Sequence, residues 1–140
     1  MISVSRCLCE SVAKNNWGDE LDINELTYQI NGAVFEVNRV LGGGFLEKVY
    51  ENALMFELQK AGLSAENQVP IIVKYKNQIV GEYLADIVVE QKVIMELKAV
   101  EGLKPVHTAQ ILNYMKACEF QYGLLVNFEH PKATIKRFVL

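Results

Sequence analysis

From Asn24 onward, apolar residues recur at helical spacing: Leu26, Ile30, Ala33, Val34, Val37 and Leu41 share one face, and Asp22 or Asn24 can cap the start. Gly42, Gly43 and Gly44 interrupt that pattern. It resumes near Phe45, with Leu46, Val49, Tyr50, Ala53, Leu54 and Leu58 apolar, and stops at Gly62 and Leu63. Glycine there suits the left-handed C-terminal position, and the leucine supplies the apolar contact that follows it. Beyond Pro70 the period becomes that of strands. Ile71 to Tyr75 is β-branched and aromatic, Lys76 and Asn77 form a turn, and Ile79 to Leu84 continues. Residues 85–89 and 93–99 are two further apolar arms around Glu90, Gln91 and Lys92. Pro105 suits the first position of a helix reaching about Cys118. Gly123 to Phe128 reads as a buried strand and Ala133 to Leu140 as an edge strand. The order α-α-β-β-β-α-β-β, without an internal repeat, predicts an α/β (α+β) fold with a central mixed sheet flanked by helices. Residues 1–21 show no clear period, and Trp17, Gly18 and Asp19 read as a loop. They are expected to form an N-terminal extension to a domain over 22–140.

The two arms also carry charge. Asp86 lies near the start of the first, and the second ends in Glu96, Leu97 and Lys98. Burying charge is costly unless it is paired or holds a metal. Glu96 and Lys98, two apart on a strand, share a face, while Met95, Leu97 and Ala99 take the other. The turn decides whether Asp86 joins them. An odd loop such as Glu90, Gln91 and Lys92 sets Asp86 opposite Glu96, whereas a two-residue loop without a bulge sends it to the other face. The odd loop, or a bulge, is the expectation. Two carboxylates with the Leu97 carbonyl suit Mg²⁺ or Mn²⁺, hard cations that take oxygen ligands and substrate phosphate. Such an ion would polarise a phosphoryl group and activate water, and Lys98 would orient that water or stabilise transition-state charge. A structural Glu–Lys pair at a strand end is the competing reading, and spacing alone does not separate the two.

Other positions add detail. Glu47 and Tyr50 are neighbours on the second helix, and an acid in a first turn is favoured by the helix dipole regardless of function. Gln110 and Tyr114 are four apart on the third helix, with His107 on the same side. They suit substrate contact, or simply a polar rim. The glycine triplet is not a phosphate loop, since no strand precedes it and no Lys-Ser/Thr follows. Cys7 and Cys9 lack a second ligand pair for zinc. His130 reads as a loop residue and Cys118 as a small core residue. A catalytic serine triad has no signal.

Composition narrows the class. The chain has 140 residues, 51% of them hydrophobic, which fits one globular domain. No apolar run approaches the ~20 residues of a membrane span, and Met1 to Ala13 does not read as a secretion signal. Three cysteines without framework spacing suit reduced thiols, hence a cytoplasmic location. A net charge of −3, from 14 basic and 17 acidic residues, argues against tight non-specific DNA binding, although Lys132, Lys136 and Arg137 gather near the C-terminus.

Taken together, Gly44, Glu47 and Tyr50, the stretches Gln68 to Ile71, Gly81 to Tyr83, Ala85 and Asp86, Glu96 to Val100, and Pro105 to Tyr114 resemble the GxxExxY protein family, a branch of the PD-(D/E)XK nuclease superfamily. The resemblance runs from about Asn24 to Leu140. It implies a restriction-endonuclease-like core with Asp86, Glu96 and Lys98 at the catalytic positions. Glu47 is implied as a first-helix acid, and Gln110 and Tyr114 as a Gln-xxx-Tyr element, with Tyr50 beside them as a substrate contact. Ala85 replaces the proline of the superfamily name. Leu84 stands where arginine is expected and Asn38 where histidine is, which affects auxiliary contacts and not the central trio. The leading expectation is a Mg²⁺- or Mn²⁺-dependent nuclease acting on DNA, with no membrane partner. A non-catalytic nucleic-acid-binding or protein-assembly module is the rival, and a hydrolase of RNA or nucleotides is a third reading. A homodimer would enlarge the small DNA-facing surface.

Overall fold

The computed structural model describes residues 2–5, 22–129 and 131–140. The expectations for Cys7, Cys9, the Trp17 to Asp19 loop and His130 lie outside them. Strand β1 (Ile2–Ser5) precedes helices α1 (Ile23–Leu41) and α2 (Glu47–Lys60). Strands β2 (Ala65–Tyr75), β3 (Gln78–Val89) and β4 (Val93–Lys98) follow, then helix α3 (Pro105–Cys118) and strands β5 (Tyr122–Asn127) and β6 (Thr134–Val139). The predicted α-α-β-β-β-α-β-β order is thus present, with one more strand ahead of it.

The six strands lie in sequence order. Neighbours are antiparallel except β4 and β5, which are parallel and joined through α3. A parallel pair needs such a crossover, so the sheet is mixed. α1 and α2 cover one face, where Leu26, Ile30, Val34, Tyr50, Leu54 and Leu58 pack on alternate residues of β3, β4 and β5. α3 covers the other, where Ile111 and Met115 meet Val88, Ile94 and Leu125.

α2 ends as its sequence suggests: Gly62 is left-handed at φ 81°, and the Leu63 N–H returns to the Leu58 carbonyl at 3.0 Å. β2 begins earlier than the proline suggested. Pro70 lies within it, in register with Leu84, because the strand continues through an irregular point at Gln68, φ 53°.

That point sets the architecture of the site. Ala65 packs with the α1–α2 core, but Val69 and Ile71 pack with the α3 core. An even step along a regular strand keeps one face, so β2 changes face between them. β3 does the same: Ala85 packs beneath α3 and Ile87 beneath α1 and α2. Asn67 pairs with Ile87 and Val69 with Ala85, which sets Gln68 and Asp86 opposite each other at the change.

Candidate active site

The β3–β4 turn has the odd length expected. Ile87, Val88 and Val89 face Met95, Ile94 and Val93, leaving Glu90, Gln91 and Lys92 as the loop. Glu90 and Gln91 take left-handed φ values of 51° and 52°, and the Lys92 N–H closes on the Val89 carbonyl at 3.0 Å. Glu90 is tied down on both sides, its N–H donating to the Ser64 carbonyl and its carboxylate accepting from the Ser64 N–H, each at 2.7 Å. The same register carried one step further sets Asp86 opposite Glu96.

There the backbone ladder stops and side chains replace it. The Leu97 N–H donates to Asp86 Oδ2 at 2.7 Å, and the Asp86 N–H donates to Glu96 Oε1 at 3.3 Å. Asp86 Oδ1 and Glu96 Oε2 stand outside both bonds. The N–H and C=O of one strand residue point to the same edge, so the Leu97 carbonyl also faces the edge where Asp86 lies. Glu96 is only 2% exposed. Burial, followed by the neighbouring Asp86 charge, pushes its carboxyl up to about 8. Burial also raises Asp86, against the pull of the Leu97 N–H and the Lys98 charge, while Glu51 and Glu47 add to the rise. Lys98 is near enough to favour both ionised carboxylates, yet no ion pair joins it to either among the described residues.

The donor set therefore fits a divalent cation of the Mg²⁺ class. Two adjacent carboxylates, one buried and one half-buried, resist sharing a site while both are ionised, and a doubly charged ion removes that cost. Among the described residues no group of three or more His, Cys, Asp or Glu side chains is placed to hold a metal, so protein ligation would rest on two carboxylates and a carbonyl.

The helices contribute unequally. Glu47 is exposed in the first turn of α2, its charge felt at Asp86. Tyr50, three residues on, does not reach the site. It is fully buried, donates its hydroxyl to the Gly42 carbonyl at 2.7 Å and stacks on Phe128 at 4.5 Å between centroids. Its ring seals the core beneath the glycine turn, which corrects the expectation of a substrate contact. On α3, Gln110 donates to the Tyr114 hydroxyl at 3.0 Å. Burial raises the Tyr114 hydroxyl against the Gln110 bond, and the charges of Glu96 and Asp86 raise it further. His107 is occupied at the helix start, accepting from the Lys104 N–H at 3.0 Å. Two of the three C-terminal cations are engaged elsewhere: Lys132 lies over Phe35, and Arg137 lies over Tyr122 and donates to Asn24. Asn38 accepts from the Ala133 N–H at 3.1 Å, and Leu84 is exposed.

Sequence reasoning missed Glu51. It is 4% exposed, and its carboxylate accepts from Lys48 at 3.1 Å, from Asn67 at 3.0 Å and from Gln68 at 3.0 Å and 3.1 Å. It anchors α2 to the irregular point of β2, directly across from Asp86. A signal was present: Glu51 lies in the stripe of Tyr50, Leu54 and Leu58, where an acid must have partners.

A family profile described as the PD-(D/E)XK nuclease superfamily matches residues 24–138. No curated protein is matched by the chain. Among solved structures, the crystal structure of SSO0001 is 16% identical, with a TM-score of 0.54, over 81% of this chain and 60% of that one. An alkaline exonuclease (LHK-Exo) from Laribacter hongkongensis is 12% identical, with a TM-score of 0.49, over 84% of this chain and 70% of that one. This chain thus spans less than two thirds of the SSO0001 chain, and that likeness concerns the fold alone. With a profile match over residues 24–138, the chain belongs to the PD-(D/E)XK nuclease superfamily.

Proposed function

We propose that this protein is a Mg²⁺- or Mn²⁺-dependent nuclease of the GxxExxY branch that hydrolyses phosphodiester bonds in DNA. The observation that carries the reading is the facing pair Asp86 and Glu96: Glu96 buried, Asp86 half-buried, both carboxyls raised, and neither joined to a cation by an ion pair among the described residues. Asp86, Glu96 and the Leu97 carbonyl hold the metal. The bound ion supplies Lewis acidity toward the phosphate and lowers the pKa of water. Lys98, on the same face of β4 as Glu96, orients the attacking water and offsets negative charge gathering on the phosphate oxygens. Glu47 assists from the start of α2. Gln110 holds the Tyr114 hydroxyl, and together they position the substrate strand. No helix among the described residues is long and apolar enough to cross a membrane.

The test is cleavage of single- and double-stranded DNA with Mg²⁺ or Mn²⁺, comparing the natural chain with Asp86→Ala and Lys98→Ala. Both variants are expected to lose at least ~100-fold in rate. Cleavage persisting in both would place the activity elsewhere. Absence of Mn²⁺ binding by calorimetry at millimolar metal with DNA present would favour the non-catalytic module. Competition by RNA or nucleotides would reassign the substrate.

A further inference from the structure

Gly81 and Tyr83 take no part in the carboxylate site, yet they are arranged around each other. A Cβ on Gly81 would stand 3.1 Å from Cε2 of Tyr83, so the ring folds back over a position that glycine leaves open. On its other flank the ring meets Tyr114, with centroids 5.4 Å apart and planes tilted by 43°. Tyr83 nonetheless stays 49% exposed. Beside this pair a cavity of about 590 Å³ opens between α3 and the β2–β3 ribbon. Val73, Val80 and Val106 make it largely apolar, and Asn113 and Lys116 supply polar groups. Tyr114 lines the cavity from α3, the helix that covers the face of β4 on which Glu96 and Lys98 lie with Ile94, so the cavity opens on the same side of the sheet as the candidate active site.

We infer that Tyr83, seated on Gly81 and braced by Tyr114, is a stacking platform for one unpaired nucleobase next to the phosphate being cut, so that the substrate is a single strand or a frayed end. This rests on the nuclease reading for its phosphate. An aromatic wall against an apolar cavity suits the flat face of a base, and stacking of that kind tolerates any base identity. A base inside a duplex has both faces covered by its neighbours and cannot enter. A chain with net charge −3 also gains little from the phosphate attraction that dominates duplex binding, so stacking must supply more of the affinity. The Asn113 amide can hydrogen-bond a base edge, and the Lys116 amine can meet a phosphate further along the strand.

The test uses the full chain in the Lys98→Ala background with Mn²⁺, so that DNA is held without being cut. The probe is a short single-stranded oligonucleotide carrying 2-aminopurine, whose fluorescence falls on stacking. Binding is expected to quench the probe. Tyr83→Ala is expected to weaken binding about tenfold, Tyr83→Trp to preserve it, and Gly81→Val to mimic Tyr83→Ala by displacing the ring. A blunt duplex with the same base internal is expected to show no quench. With Lys98 restored, Tyr83→Ala is expected to raise KM and leave kcat nearly unchanged, which a merely structural residue would not do. Equal affinity of Tyr83→Ala and its parent, tighter binding of the blunt duplex, or no single-strand binding overturns the platform. Duplex cleavage insensitive to Tyr83 removes the platform and leaves the nuclease reading intact. A Tyr83-dependent quench from a chain that cuts nothing does the reverse.

Discussion

Tyr50 and Tyr114 sit on opposite faces of the same sheet and have opposite fates. On the α1–α2 face, Tyr50 is sealed, its hydroxyl spent on the Gly42 carbonyl and its ring stacked on Phe128. On the α3 face, Tyr114 is also buried but lines a cavity, with its hydroxyl held by Gln110. Both faces pack a core, but the second also carries Glu96 and Lys98 and opens on a cavity. Asp86 belongs to neither alone. It sits where β3 changes face, so Glu47 and Glu51 of α2 and Leu97 and Lys98 of β4 all act on one carboxyl. A regular strand would have committed Asp86 to one side.

The comparison breaks most visibly at Tyr50. Tyr50→Ala empties a fully buried site and frees the Gly42 carbonyl, with an expected loss of ~4 kcal/mol in urea unfolding. Tyr114→Ala, in the other core but beside a cavity, is expected to cost less. A reversed order would refute the division of labour between the faces.

Glu51 is the next largest effect. Glu51→Ala strands the amides of Asn67 and Gln68 and leaves a cavity, with an expected cost of ~3 kcal/mol by the same measurement. Glu51→Gln, which can still accept from those amides, is expected to cost clearly less.

The pH dependence tests the site itself. Glu96 is raised in the folded protein to about 8 from an ordinary 4.5, so between those values the folded state binds a proton that the unfolded state has lost. The stability contributed by the neutral carboxyl is complete below about pH 4.5 and is lost as pH climbs toward 8. In metal-free buffer the unfolding free energy is expected to fall by on the order of 2 kcal/mol between pH 5 and 8. Glu96→Gln is expected to flatten that slope. Saturating Mn²⁺ is expected to restore the loss most strongly near pH 8, where the carboxylates are ionised. A wild-type curve as flat as that of Glu96→Gln would mean that the carboxyl is not held neutral.

The smallest effect sharpens the contrast. Tyr114→Phe keeps the ring and loses only the bond from Gln110, and is expected to shift stability by less than ~1 kcal/mol. Its larger consequence is expected in DNA affinity, read by anisotropy with the same Lys98→Ala background.

Leu84 and Asn38 show where a motif stops being informative. Both depart from the expected residues, yet Leu84 is simply exposed and Asn38 holds the Ala133 N–H, a use that no local pattern announces. Tyr50 is the converse case: spacing from Glu47 suggested a shared surface, and the tertiary packing of Phe128 claimed the ring instead.

Local sterics decide the period of each segment, so the helices, most of the strands, the shared face of Glu96 and Lys98, and the three-residue turn opposing Asp86 to Glu96 were all readable from residue order. Other features depend on partners far along the chain. Glu51 meets Asn67 and Gln68 across 16 and 17 positions. The simultaneous change of face at Gln68 and Asp86 needs two strands in register. The seat of Tyr83 against Tyr114 needs α3 folded onto the ribbon. Contacts of that range have no period to detect; they exist only once the sheet and its helices have closed on each other.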